Sequence, residues 1–98
     1  MTTQRLLRIK HDRRDLGFFS ARVLREDSAQ ASWRLCVECP ADMDEFRGHL
    51  VDGSSMALTM ITREGDFLRG EACVANVSDS LDAATVVTLS GLGPLYSS

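Results

Sequence analysis

Short alternating runs of apolar and polar residues dominate the first forty positions. Arg5–Lys10 sets Leu7 and Ile9 on one face. After the polar stretch His11–Asp15, a second run extends from Leu16 to Arg25. Within it Ala21 and Val23 alternate with Ser20, Arg22 and Leu24, the period of two that a half-buried strand requires. Glu26–Ser32 is small and polar and reads as a loop. Trp33–Cys39 alternates most cleanly, with Trp33, Leu35, Val37 and Cys39 facing one way and Arg34, Cys36 and Glu38 the other. Pro40 stops this strand because it has no N–H to give to a ladder.

The period then changes. Met43, Phe46 and Leu50 fall at i, i+3 and i+7, which is one stripe of a helix. Asp42 stands at the N-cap position with Glu45 three residues on, the spacing of a capping box. Asp44 adds a further negative charge at the positive end of the helix dipole. Gly53 suits a left-handed C-terminal cap. Gly48 weakens the same helix by roughly 1 kcal/mol relative to Ala.

Alternation returns after Gly53. Met56, Leu58 and Met60 share a face, and Arg63–Asp66 is a turn in which Gly65 supplies the positive φ. Phe67–Val77 is the returning strand, with Gly70 marking a bulge. Asn76–Ala83 is a polar turn, and Thr85–Gly91 forms the last strand, ended by Gly91-Leu92-Gly93-Pro94. The pattern predicts one mainly β domain spanning residues 1–98. It is a small antiparallel β-barrel or roll of about six strands, with one short α-helix between the third and fourth strands. A core of this size gives a modest stabilisation, so self-association is expected to add to it.

Composition narrows the setting. Of 98 residues, 44% are hydrophobic and 26% charged, which suits a folded domain and not a disordered one. No apolar run is long enough to span a bilayer. The stretch Met1–Arg8 lacks the apolar core of a secretory signal, so a cytoplasmic setting without membrane contact is expected. Three cysteines, Cys36, Cys39 and Cys73, are an odd number and point to reduced thiols. Charge is split along the chain. Residues 1–34 carry eight Arg or Lys against four acids, a net of +4. Residues 35–98 carry three Arg against ten acids, a net of −7. Such a split orients one copy against another if it survives folding into separate surfaces.

Candidate chemistry is sparse. Cys36-Val-Glu-Cys39 has the spacing of a metal knuckle, but an alternating strand sends its two thiols to opposite faces. His11 and His49 have no Cys or Ser neighbour at a spacing that fixes a nucleophile–base pair. The acids Asp42, Asp44 and Glu45 are accounted for by helix capping. Gly91-Leu92-Gly93 runs into Pro94 and opens no helix, so it is not a dinucleotide loop. Phe18 and Phe19 lie within the basic segment Arg5–Arg25, where aromatic rings serve single-stranded nucleic acid. The net charge of −3 is opposite in sign to the usual footprint of such binders. No catalytic residue, cofactor or metal site is expected, and the chain is expected to act without catalysing a reaction.

The second half carries a further pattern: Leu50-Val51-Asp52-Gly53, the strand Ser55–Ile61, the turn Glu64-Gly65-Asp66, Phe67–Val74, and Val86–Leu95 with its Gly91-Leu92-Gly93. Over roughly residues 33–95 it resembles the β-barrel of bacteriophage tail tube and baseplate hub proteins, a fold shared with type VI secretion tube proteins. The resemblance implies a non-enzymatic structural protein of a phage or prophage tail, located in the cytoplasm or the virion, that binds copies of itself or other tail proteins. Phe18, Phe19 and Trp33 are then candidate interface residues. Tail tube subunits are usually longer and have longer loops, which fits a trimmed adaptor better than a whole tube subunit. The alternative is a small regulatory barrel that binds an anionic ligand through Arg13 and Arg14, or that binds a protein partner. This chain lacks the other signature residues of the cyclic-dinucleotide-binding barrels.

Overall fold

The computed structural model describes residues 2–26, 32–78 and 85–97. In chain order the elements are β1 (Thr2–His11), β2 (Arg14–Asp15), β3 (Ser20–Arg25), β4 (Trp33–Glu38), α1 (Met43–Asp52), β5 (Ser55–Thr62), β6 (Phe67–Ser78) and β7 (Val86–Ser97). The strands lie in the order β2-β1-β3-β4-β7-β6-β5, and β1 also pairs with β5. That last pairing closes six antiparallel strands into a barrel. The helix therefore follows the fourth strand and not the third. The extra strand arises because Asp12 and Arg13 both take positive φ, 51° and 68°, and fold Arg14–Asp15 back onto Lys10–His11. Left-handed conformation at both central residues is the geometry of a tight two-residue hairpin.

Alternation fills the interior. Ala21, Val23, Leu35, Val37, Met56, Leu58, Met60, Leu68, Ala72, Val87 and Leu89 are all buried. The expected face of β1 is corrected by a bulge. Leu6 pairs with Thr62 and Arg8 with Ile61, so Leu7 is the extra residue. Leu6 and Ile9 consequently both point inward while Leu7 is exposed, because one inserted residue reverses the phase of everything beyond it. Cys39 is likewise exposed. The strand ends at Glu38 and Cys39 turns away with a φ of 48°.

Trp33 occupies a socket made by glycines. A Cβ on Gly91 would overlap the indole, and one on Gly70 would lie 2.7 Å from it. The indole N–H donates to the Gly93 carbonyl at 3.2 Å. The register between β6 and β7 is irregular at Gly70, where Arg69 pairs with Tyr96 and Glu71 with Leu92. Three residues of β7, Gly93 to Leu95, thus stand opposite the single Gly70 of β6, and Pro94, which has no N–H for a ladder, sits in the excess. The last strand therefore does not end at Gly91–Pro94 as expected but continues to Ser97.

Helix α1 buries Phe46 and ends on Gly53 in the left-handed conformation, whose N–H donates to the His49 carbonyl. The expected capping box does not form, since the Asp42 side chain makes no cap hydrogen bond. The expected loop Glu26–Ser32 falls largely outside the described residues, and of the expected turn Asn76–Ala83 the described part, Asn76–Ser78, is not a turn but the paired end of β6.

Candidate functional site

Two surface features stand out. The first is a seam. β1 pairs with β3 only from Thr2 to Arg5, and with β2 only at Lys10 and His11. Between these stretches Leu16 donates its N–H to the Ile9 carbonyl, and the two sides of the barrel wall diverge. A groove of about 470 Å³ opens there, lined among others by Leu7, Arg8, Phe18, Phe19 and Arg63. Leu7 is 61% and Phe19 81% exposed, while Phe18 is half-buried against the core. Of the three aromatic residues expected at an interface, Phe19 and Phe18 thus meet at this groove. Trp33, at 3% exposure, belongs to the core and offers no surface.

The outer wall beside the seam is basic. Arg5 and Arg22 are directly opposite across β1 and β3, and both are exposed. No carboxylate among the described residues pairs with either. Like charges facing each other across a ladder are destabilising. Because the strand order keeps β1, β3 and β4 adjacent, the exposed arginines Arg5, Arg8, Arg22 and Arg34 share one stretch of the wall, whereas the exposed acids of the second half lie on α1, in the β5–β6 turn and at Glu71.

The second feature is a polar corner where the β1–β2 hairpin meets α1. His11, at 8% exposure, directs Nδ1 to Glu45 Oε1 at 2.6 Å, and its Nε2 lies 3.5 Å from Asp12. The His49 ring meets the His11 ring edge-on, centroids 5.3 Å apart, and its Nδ1 is 2.6 Å from Ser54 Oγ. Arg14 donates to Asp42 at 3.1 Å and lies 3.6 Å from Glu45 Oε2. The latter is too long for a hydrogen bond, and Glu45 Oε2 is buried with no hydrogen-bond partner. Nearby, hydrogen bonds from the Ser54 hydroxyl and then the Ser54 N–H hold the Asp52 carboxyl below its usual range, with His49 adding to the effect against a small opposing influence of burial.

Two of the three carboxylates expected at the helix start, Asp42 and Glu45, are therefore engaged by the hairpin, while Asp44 is exposed. Arg14, a candidate contact for an anionic ligand, already faces two carboxylates. Arg13 stands exposed at the hairpin tip. His11 and His49, which sequence reasoning leaves unassigned, converge on Glu45. The readable part of that signal is the i, i+4 spacing of Glu45 and His49 on one helix face. Cys36, Cys39 and Cys73 are free thiols. No described helix is long and apolar enough to cross a membrane. Comparison of the chain with family models, with curated proteins and with solved structures gives no match.

Proposed function

We propose that this protein is a non-enzymatic assembly domain that associates with further copies of itself, the basic wall of one copy meeting exposed acids of the next. The observation that carries the reading is the facing pair Arg5 and Arg22 beside a groove edged by exposed Leu7 and Phe19. An acidic partner surface relieves the repulsion between these arginines, and the apolar groove supplies contact area that charge alone does not. The acidic groups for such a contact are exposed in the second half, Asp44 and Asp52 on α1, Glu64 and Asp66 in the β5–β6 turn and Glu71 on β6. A contact between two different patches is heterologous and builds rings or filaments. A tail tube, hub or adaptor component is the specific form of this reading that the sequence resemblance favours, and neighbouring genes for tail or capsid proteins would support it.

Sedimentation velocity over rising protein concentration, at low and at high salt, tests the association. The expected result is self-association that weakens with salt, because exposed charges are screened within about 10 Å at 0.1 M. Arg22→Glu is expected to weaken it about tenfold, the size of one lost interfacial charge contact, with an unchanged circular dichroism spectrum. A single monomeric species at every concentration in low salt would overturn the proposal.

A further inference from the structure

We infer that the corner between the β1–β2 hairpin and α1 is a binding site for one divalent transition-metal ion of the zinc class, held by His11, Glu45 and His49. One donor atom from each of these residues lies within 4.8 Å of the other two. The ligands come from two elements, Glu45 and His49 from successive turns of α1 and His11 from the end of β1. Two imidazoles and one carboxylate suit a borderline-soft cation, whose Zn–N and Zn–O bonds of about 2.0–2.2 Å set tetrahedral donors about 3.3 Å apart. The donors thus need to draw in by about 1.5 Å at the widest pair. Side-chain rotation at half-buried Glu45 and His49 provides such a shift without moving the barrel.

Three details point to a cation rather than to a hydrogen-bonded pair alone. The His11–Glu45 contact satisfies Oε1 but leaves Oε2 buried and without a hydrogen bond, the Arg14 guanidinium standing off at 3.6 Å, a shortfall that a metal ion removes. Ser54 engages His49 Nδ1 and so leaves Nε2 available to the metal, with Ser54 fixing the ring orientation in the way outer partners of ligating histidines do. Asp12 lies 3.5 Å from His11 Nε2, too far for a good hydrogen bond but near enough for its negative charge to favour the proton on that nitrogen, leaving Nδ1 toward the carboxylate. With three protein ligands the fourth position is open to water or to a group from a partner. The ion ties the helix to the hairpin, and it binds independently of the self-association proposed above.

Zinc titration followed by thermal melting and calorimetry tests the site. A variant with Cys36, Cys39 and Cys73 replaced by Ser removes competing thiolates. One equivalent of zinc is expected to raise the melting temperature of this variant by several degrees, and His49→Ala in the same background is expected to abolish the shift. His49 is half-buried at the helix surface, so the metal-free variant is expected to fold. Cobalt gives a second readout that needs no variant of the site. Bound Co²⁺ is expected to show visible absorption of a low-coordinate N/O site without a thiolate charge-transfer band. Absence of zinc binding to the cysteine-free protein, a melting shift retained in His49→Ala, or a cobalt spectrum matching the hydrated ion would overturn the assignment.

Discussion

Trp33 sets the strictest requirement on a single position. The alternation of β4 places it on the same face as Leu35 and Val37, and by that pattern alone it points inward. What the pattern does not reveal is the room for an indole at the end of a narrow barrel. That room comes from Gly70 and Gly91, on strands far away in sequence. Gly91→Ala is expected to destabilise the fold by about 1–3 kcal/mol, the usual cost of forcing an extra carbon into a packed core. Urea denaturation followed by Trp33 fluorescence measures it. Combining it with Trp33→Leu is expected to recover part of the loss, because the smaller side chain vacates the socket, and a neutral Gly91→Ala would show that the indole does not rest on that glycine.

Among the elements, β1 and α1 show where local pattern gives way to long-range contact. In β1 the bulge at Leu7 exchanges the inward set from Leu7 and Ile9 to Leu6 and Ile9. A bulge is set by pairing with β5, about fifty positions further on, so no local period betrays it. In α1 the glycine C-cap and the inward Met43 and Phe46 are readable from the period, but Leu50, the third member of the expected stripe, is exposed. The acids at the helix start also match a local motif, yet Arg14 and His11 take up Asp42 and Glu45 instead. A guanidinium brings a carboxylate a full positive charge that an amide N–H lacks, and the hairpin delivers Arg14 to Asp42 with His11 beside it at Glu45. This is also why the His11–Glu45–His49 corner escaped sequence reasoning, since two of its members share a helix and the third arrives with the fold. Gly48 remains an uncompensated weakness of the helix. A Cβ there meets nothing within 4 Å, so Gly48→Ala is expected to stabilise the protein by roughly 0.5–1 kcal/mol. Thermal melting checks it, and a destabilising result would mean that α1 is held in a conformation Ala does not favour.

At the scale of the whole molecule, pairing of β1 with β5 decides how the protein meets its surroundings. The sequence pattern gives the strands and their faces but not which edges meet, and an open roll of the same strands would need neighbours along both rims. Here Leu6–His11 supplies the partner for Leu58–Thr62, so both rims are satisfied within one chain over that length. Association must then run through side chains and the seam rather than through strand addition around the whole wall. Closure also predicts a uniform response to unfolding. In an open sheet the terminal strand frays, whereas in a closed barrel β5 is held on both sides and opens only with the rest. Native-state hydrogen exchange is therefore expected to give amides of β5 the same opening free energy as those of β4. Exchange of β5 amides at the rate of the exposed turn residues would mean that β1 and β5 part readily. The molecule would then be a curled sheet whose free rims seek partners, and its mode of assembly would change accordingly.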